Sequence, residues 1–227
     1  MRVFTTDDKE SGIVPSWQRN ADAWTDTVRN GLIESRQQVT DAAIVQAVLD
    51  AQPRSVLDIG CGEGWLVRAL MAKGILAMGV DAVPALIECA REAGGTFHTA
   101  SYEDIADGRL RQRINTAICN FSLLGRSSVD RLFAALPTQI DEDGRLIVQT
   151  VHPVVACGEH PYVDGWREET WDGFGGGFST PAPWYFRTLA SWISLFSATG
   201  WRLCEMREPL HPKTGRPASV IFMACVR

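Results

Sequence analysis

The amino-acid sequence predicts an α/β protein with a doubly wound, seven-stranded and mostly parallel sheet that has helices on both faces. The first observation is an alternation of short β-rich runs with helical runs between residues 54 and 151, which is typical of parallel strands joined by right-handed crossovers. The second is a pair of β-rich runs near the end of the chain, separated only by a turn-rich segment, which predicts an antiparallel hairpin. With 227 residues, 45% of them hydrophobic, the chain is long enough for one large core, and we expect a single domain over residues 1–227.

Each element follows from the local residue pattern. Residues 1–50 predict two leading helices, because apolar side chains such as Trp17 and Trp24 recur at helical spacing and Thr40 is placed to cap the second helix. The strands predicted next are residues 55–59, 75–81, 96–100, 114–121 and 144–151. The helices predicted between them are residues 64–73, 83–93, 103–111 and 127–136.

Residues 152–184 interrupt this alternation. They contain several prolines, the run GFGGG and many aromatic side chains, without the period of a helix or a strand. We therefore expect an insertion whose glycines let part of it move as a substrate lid. Residues 185–227 then predict a helix over about residues 185–199 and a hairpin formed by residues 201–208 and 219–226.

Composition excludes several classes of partner. The chain has 22 basic and 27 acidic side chains, a net charge of −5, and no basic stripe that would follow a phosphate backbone, so nucleic acid is not an expected partner. No apolar run is long enough to span a bilayer, and the first residues lack the apolar core of a signal peptide, so we expect a cytoplasmic protein without membrane insertion. The six scattered cysteines predict reduced thiols, and the pattern carries no signal for an oligomeric state.

A glycine-rich stretch, VLDIGCGEG, directly follows the first predicted strand and places glycines at positions 60, 62 and 64. Glycine there allows positive φ and lets a ligand lie against bare backbone at the carboxyl end of the sheet. A dinucleotide-binding loop would have its third glycine where Trp65 stands, and the acids Asp58 and Glu63 would repel a pyrophosphate. An acid before the loop suits an ammonium group instead, and Asp81 after the second strand suits a ribose diol.

The two motifs VLDIGCGEG and GVD resemble the first and second motifs of the class I, Rossmann-like, S-adenosylmethionine-dependent methyltransferases. The resemblance extends over roughly residues 40–227. It implies the strand order 3-2-1-4-5-7-6 with the seventh strand antiparallel, S-adenosylmethionine as cofactor, and a small molecule as methyl acceptor. It also implies that residues 54–151 form the cofactor-binding half and that the leading helices form a cap.

The resemblance further implies roles for particular residues. Asp58 would lie near the amino group of the methionine portion, Asp81 would hold the ribose hydroxyls, and Arg36 would lie near the cofactor carboxylate. Ser101 stands where the third motif usually has an acid, so the residues after it are the candidates there. The remaining cofactor-binding candidates are Gly60, Cys61, Gly62, Ala82, Tyr102, Glu103, Asn120, Phe121 and Ser122.

The acceptor site is expected at the ends of the fourth and fifth strands, where the insertion begins. His152 directly follows the fifth strand, and histidine titrates in the range that suits a general base; the alternative is a histidine that only bonds neighbouring backbone. The aromatic side chains near it suit either a substrate site or a small core of the insertion itself. The expected substrate-contacting residues are Trp17, Trp24, His152, Trp166, Trp184 and Arg187.

Four side chains of metal-ligand type lie close together in the sequence and raise the alternative of a metal site. They are His152, Cys157, Glu159 and His160. Their spacing matches no known zinc or iron site, so no metal is expected.

The sequence therefore predicts a methyltransferase that uses S-adenosylmethionine to methylate the oxygen or nitrogen of a small apolar or aromatic acceptor. Two other interpretations stay open. One is an enzyme of the same fold that uses the cofactor differently, such as a carboxy-S-adenosylmethionine synthase or an aminopropyl-type transferase. The other is a protein that binds the cofactor without catalysis.

Overall fold

The computed structural model of the protein describes residues 6–110, 114–171 and 174–227. Residue 111, at the end of a predicted helix, and Gly173, in the glycine run of the predicted insertion, lie outside the described residues. Within these ranges, no helix combines the length and the apolar character needed to cross a membrane.

A mostly parallel sheet forms the centre of the fold. The strands of the described residues are β1 (Val56–Ile59), β2 (Ala77–Asp81), β3 (Phe97–Thr99), β4 (Ile114–Asn120), β5 (Ile140–Val151), β6 (Gly165–Glu169), β7 (Ala182–Phe186), β8 (Trp201–Arg207) and β9 (Ser219–Val226). Seven of these form one sheet in the order β3-β2-β1-β4-β5-β9-β8, and β6 pairs with β7 in a separate hairpin. Because β9 is antiparallel to both β5 and β8, the predicted fold class and strand order are confirmed.

Helices pack on both faces of the sheet. They are α1 (Thr6–Arg19), α2 (Ala21–Arg29), α3 (Asp41–Ala51), α4 (Trp65–Met71), α5 (Pro84–Glu92), α6 (Tyr102–Ala106), α7 (Ser127–Ala135), α8 (Pro153–Ala156) and α9 (Leu189–Ala198). A π-helical turn covers Arg36–Thr40 and a 3-10 turn covers Leu136–Thr138.

Side-chain alternation along the strands divides the core into two layers. In β1 every residue is buried, and Val56 packs in the layer that contains α3, α4 and α5, whereas Leu57 and Ile59 pack in the layer that contains α7 and α9. Strands with apolar side chains on both faces are what a buried parallel sheet requires. This packing brings the carboxyl ends of β1, β2, β4 and β5 to one edge, which is where parallel sheets bind ligands.

The region before β1 differs from its prediction of two helices. Trp17 lies on α1 and Trp24 on α2, so the two rings belong to separate helices. Thr40 ends the π-helical turn and makes no side-chain cap bond with α3, so its predicted capping role is wrong. π-Helical turns occur often at functional sites, and this one borders the cavity described below.

The region after β5 also differs from its prediction. Residues 182–186 pair with β6 as a strand, so the predicted helix begins at Leu189 and not at residue 185. The side chain of Thr188 sets this start, because its Oγ1 accepts a hydrogen bond from Ser191 N at 3.1 Å. The prolines and glycines around the hairpin hide its alternation in the sequence.

The predicted reduced state of all six cysteines is wrong for one pair. Cys204 and Cys225 form a disulfide bond between β8 and β9. The sequence conceals this pair because the two residues lie 21 positions apart, and only the antiparallel pairing of the strands brings them together. Cys61, Cys89, Cys119 and Cys157 are free thiols.

Candidate active site

A cavity of about 710 Å³ opens at the carboxyl edge of the sheet. Its floor is formed by residues that follow β1, β2, β4 and β5, and its cover by side chains of α1, α2, β7 and the segment before β7. Every one of the predicted cofactor-binding residues lines this cavity: Arg36, Asp58, Gly60, Cys61, Gly62, Asp81, Ala82, Tyr102, Glu103, Asn120, Phe121 and Ser122. The sequence motifs thus converge on one space.

The glycine loop after β1 has a backbone that other residues adopt with strain. Gly60 and Gly62 have φ angles of 75° and 57°. A Cβ atom at Gly60 would lie 2.3 Å from the Cβ of Ser122, whereas the nearest side-chain atom to a Cβ at Gly62 would be Trp24 Nε1 at 3.5 Å. Position 60 therefore has no room for a side chain beside Ser122, and the backbone of Gly62 faces Trp24 on α2.

Asp58, at the cavity floor, is a buried carboxyl group with an unused acceptor. It is 2% exposed, and its Oδ1 has no hydrogen-bond partner among the described residues. Burial and the neighbouring carboxylate of Asp81 raise the pKa of Asp58 to about 8. An ammonium group placed beside it would satisfy the free oxygen and oppose both effects.

Asp81 holds the glycine loop from the end of β2. Its Oδ2 accepts a hydrogen bond from Gly62 N at 2.9 Å, and its Oδ1 accepts one from Val83 N at 2.9 Å. Burial raises the pKa of Asp81, and the two backbone hydrogen bonds oppose this rise. Since each carboxylate oxygen has a second lone pair, the group can still accept bonds from a ligand.

The third motif is shaped by an N-terminal cap of α6. The Ser101 hydroxyl accepts from Asp104 N, and the Asp104 carboxylate accepts from Ser101 N, which forms a capping box. The Asp104 carboxylate therefore caps α6, while Tyr102 and Glu103 line the cavity. Tyr102 donates its hydroxyl to Ser122 O at 2.5 Å and so braces the turn after β4.

That turn after β4 is strained. Phe121 has a φ of 54°, which is rare for a bulky residue, and it lines the cavity. Ser122 Oγ donates to Ile59 O at 2.6 Å and joins the ends of β1 and β4. The cavity floor is therefore a connected set of short hydrogen bonds.

The cover of the cavity, called the lid below, consists of α1, α2, Trp171 and residues 174–181, and hydrogen bonds hold it together. Asn20, which is fully buried, donates to Ser16 O at 3.0 Å and to Thr180 O at 2.9 Å, and accepts from Ser179 N at 2.9 Å. Thr27 Oγ1 donates to the carbonyl of residue 174 at 2.8 Å. These hydrogen bonds join the two leading helices and the end of the insertion into one unit.

Aromatic rings fill the space inside this lid. Trp17 packs edge-on against Trp24 and Trp171, with ring centroids 5.1 and 5.3 Å apart, and Trp171 stacks on Phe178 at 4.5 Å. Trp17, Trp24 and Trp171 also line the cavity. The two interpretations of these aromatics, a core of the lid and a wall of the cavity, therefore apply together.

One ion pair and a group of hydrogen bonds join the lid to the rest of the protein. Arg29 on α2 lies 3.3 Å from Glu63 Oε2 in the glycine loop, and Arg68 pairs with the same oxygen at 2.5 Å. Glu10 on α1 accepts from Ser128 N at 2.8 Å and from Ser127 N at 3.1 Å. A carboxylate at the N-terminus of α7 satisfies amides that the helix leaves free and interacts favourably with the helix dipole.

Replacing Glu10 by glutamine is expected to lower the free energy of unfolding by about 0.5 to 2 kcal/mol near neutral pH, because the charge at the N-terminus of α7 is lost. Burial raises the pKa of Glu10, but the hydrogen bonds from Ser128 and Ser127 lower it more, so this pKa lies below its ordinary value of 4.5. A depressed pKa in the folded state stabilises the fold fully above pH 4.5, and the contribution disappears as the pH falls through the folded-state pKa. Urea unfolding of the wild type and the variant over this pH range should show a difference in unfolding free energy that becomes smaller as the pH falls. A difference independent of pH would contradict the proposed role of the Glu10 carboxylate.

His152 does not belong to this cavity, and its assignment as general base lacks a geometric basis. It is 3% exposed and is absent from the lining, although its neighbours Val151 and Pro153 are part of it. Its Nε2 lies 2.8 Å from Glu208 Oε1, and its Nδ1 has no partner among the described residues. The physical reason is the backbone turn into α8, which directs the ring toward the segment after β8.

Two other residues expected to contact the substrate have partners within the protein, and only one of them lines the cavity. Trp166 on β6 is not part of the lining and packs edge-on against Tyr185 at 5.5 Å. Arg187 borders the cavity but is 5% exposed, and its guanidinium donates to Gly125 O, Arg126 O and Asp130 Oδ1. These three hydrogen bonds hold Arg187 at the N-terminus of α7, and its expected contact with a substrate stays a prediction.

The metal-ligand residue types do not gather into a site. Among the described residues, no group of three or more histidine, cysteine, aspartate or glutamate side chains is arranged to hold a metal ion. Burial raises the pKa of the Cys61 thiol in the glycine loop, so this residue contributes a neutral, small side chain.

Several residues of the site were not found by sequence reasoning. Glu10 and Asn20 act through contacts more than a hundred positions away, which no local pattern indicates. Gln149 carried a weak signal, since it is a polar residue inside the apolar run LIVQTV of β5. It is 1% exposed and joins three segments near the cavity.

Comparisons with known proteins agree with this geometry. Residues 32–205 match a family model described as a methyltransferase domain. Comparison with curated protein sequences yields no match. Solved structures share the fold at low identity, among them an S-adenosylmethionine-dependent methyltransferase from Mesorhizobium loti, with 20% identity, a TM-score of 0.62, and coverage of 81% of this chain and 96% of the other.

Two further neighbours have named activities or complexes of their own. The glycopeptide N-methyltransferase MtfA, complexed with sinefungin, shares 13% identity with a TM-score of 0.63, over 80% of this chain and 84% of the other. The methyltransferase CcbJ from Streptomyces caelestis shares 17% identity with a TM-score of 0.58, over 82% of this chain and 88% of the other. The family match covers more than half of the chain, so the protein belongs to the family of methyltransferase domains.

Proposed function

We propose that the protein transfers the methyl group of S-adenosylmethionine to an amine nitrogen of a small, aromatic or apolar acceptor. The observation that carries this proposal is the composition of the cavity wall beyond the glycine loop. That wall is aromatic, and the described lining offers no unpaired cation to an anionic acceptor.

The cofactor is proposed to lie between the glycine loop and α2. Asp58, with its unused Oδ1, fits the ammonium group, and the bare backbone of Gly60 and Gly62 leaves room for close approach. Asp81 accepts the ribose hydroxyls beside its bonds to the loop, and Ala82 borders the adenine. When bound, S-adenosylmethionine supplies a methyl group attached to a positively charged sulfur.

The acceptor is proposed to occupy the space under α1 and β7. This part of the wall consists mainly of aromatic rings, contributed by Trp17, Trp171, Phe174, Trp184, Tyr185 and Trp192. The charged groups there, Glu10 and Arg187, are both engaged at the N-terminus of α7. Aromatic faces attract cations, so the wall favours a neutral or cationic acceptor over a carboxylate or a phosphate.

The choice of an amine over an alcohol follows from the proton acceptors in the described lining, which are carboxylates. Neither histidine nor lysine occurs among the described residues of the lining. An alcohol must lose its proton during attack, whereas an amine, once its ammonium form has given one proton to solvent, attacks with its lone pair. It releases a second proton after the C–N bond has formed and the C–S bond of the cofactor has broken. The closed lid excludes water from the reacting groups, and the carboxylates at the edge of the cavity can receive the released proton.

A panel of matched acceptors tests this proposal. Phenethylamine should give S-adenosylhomocysteine at a rate at least about tenfold above that with hydrocinnamate, which has a similar size and ring but the opposite charge. The product should carry one added methyl group on nitrogen by mass spectrometry, which also separates methylation from other uses of the cofactor. Preferential turnover of carboxylates or of alcohols would contradict the proposed acceptor class.

A further inference from the structure

We propose that Gln149 is a positioning residue that holds the side-chain amide of Asn120 with its NH2 group toward the cavity. Together with the hydroxyl of Thr40, this amide forms a donor pair for a carboxylate. The inference rests on the proposed function for the identity of the ligands, because that carboxylate belongs either to the methionine portion of the cofactor or to the acceptor.

The orientation of Gln149 follows from an unambiguous partner. Its Nε2 lies 3.1 Å from the backbone carbonyl oxygen of Thr40, and a carbonyl oxygen only accepts hydrogen bonds. The nitrogen of the amide must therefore face Thr40. The oxygen of the same amide accepts from Ser219 Oγ at 3.1 Å, which agrees with this assignment.

The orientation of Asn120 follows in turn. The same Gln149 nitrogen lies 2.7 Å from Asn120 Oδ1, so the second Nε2 hydrogen is donated there and the oxygen of Asn120 is used. Asn120 lines the cavity and pairs with Gln149 across β4 and β5. Because its oxygen accepts from Gln149, the Nδ2 of Asn120 is left to donate into the cavity that the residue lines.

A second donor lies on the same wall. Thr40 is 2% exposed and lines the cavity, and within the described parts of the chain its Oγ1 has no hydrogen-bond partner. The Gln149 bond to its carbonyl keeps this residue, the last of the π-helical turn, against the end of β5. Arg36 begins the same turn and also lines the cavity, where a bidentate pair with Asp41 holds its guanidinium in place.

Three variants separate positioning from a purely structural role. Asn120→Asp keeps an acceptor for Gln149 but turns the cavity-facing donor into a negatively charged acceptor. Gln149→Glu replaces the donor by a carboxylate that only accepts. The Asn120 amide therefore rotates to donate its NH2 group to this carboxylate and presents its own oxygen to the cavity. Ser219→Ala, the matched control, removes one hydrogen bond of Gln149 but leaves its donor sense, which Thr40 O determines, unchanged.

The first readout is calorimetric titration with S-adenosylhomocysteine and with methylthioadenosine, which lacks the amino-acid portion. The second readout is the KM of the amine acceptor. If the carboxylate is that of the cofactor, Asn120→Asp and Gln149→Glu should lose about 10- to 100-fold in affinity for S-adenosylhomocysteine and retain their affinity for methylthioadenosine. If it is that of the acceptor, cofactor affinity stays unchanged and the KM of an acceptor that carries both an amine and a carboxylate rises.

Two results would overturn the proposal. One is an unchanged cofactor affinity together with an unchanged acceptor KM in Asn120→Asp. The other is an equal loss of affinity in Ser219→Ala and Gln149→Glu, which would make Gln149 a structural residue only. Because the titration needs no turnover, a failure of the proposed acceptor class leaves the cofactor arm of this test intact.

Discussion

Replacing Asp81 by alanine is expected to weaken binding of S-adenosylhomocysteine by about 10- to 150-fold, which corresponds to roughly 1.5 to 3 kcal/mol for hydrogen bonds to a charged group. The carboxylate is proposed to accept the ribose hydroxyls, and it also holds Gly62 N and Val83 N at 2.9 Å each. The substitution therefore removes ligand contacts and releases the glycine loop from β2.

Titration calorimetry of two further variants sharpens this test. Asp81→Asn retains one acceptor for the loop and should lose less affinity than Asp81→Ala. Asp107→Ala removes an exposed carboxylate that pairs with Arg109 and Arg131 away from the cavity and should bind like the wild type. Unchanged affinity in Asp81→Ala would contradict the assignment of the ribose site.

Replacing Asn20 by alanine is expected to lower the free energy of unfolding by about 1 to 3 kcal/mol, because a buried donor is left without a partner. The lost bonds join α2 to the insertion, and Ser179 N has Asn20 Oδ1 as its acceptor at 2.9 Å. The lid should loosen before the sheet does, since the core layers on either side of the sheet do not include Asn20.

Urea unfolding combined with limited proteolysis measures both effects. In Asn20→Ala, cleavage between residues 174 and 181 should become faster at denaturant concentrations at which the body stays folded. Gln18→Ala, an exposed change on the neighbouring helix, serves as the control and should leave both readouts unchanged. Identical unfolding and cleavage in Asn20→Ala and the wild type would show that the lid does not depend on this residue.

The sequence predicts the cofactor half of the site well because local backbone geometry dictates it. Gly60 and Gly62 are needed for their positive φ angles, and Asp58 and Asp81 stand at fixed positions relative to strand ends. Such features are encoded within a few residues of each other. They could be identified without knowledge of the packing of the chain.

The acceptor half was predicted less well because it depends on contacts between distant segments. His152 follows β5 as expected, yet Glu208, which lies 56 positions away, engages its ring outside the cavity. Arg187 likewise donates a hydrogen bond to Asp130 on α7, which lies 57 positions earlier in the chain. Gln149 resembles any polar residue in a strand until β9 and the π-helical turn are packed on it.

The most direct test of this account is calorimetric titration of the purified protein with S-adenosylmethionine, S-adenosylhomocysteine and NADH in parallel. The glycine loop with Asp58 and Glu63 predicts micromolar binding of both sulfur nucleotides and no binding of NADH. Binding of NADH, or no binding of either sulfur nucleotide, would contradict the proposed use of the cavity.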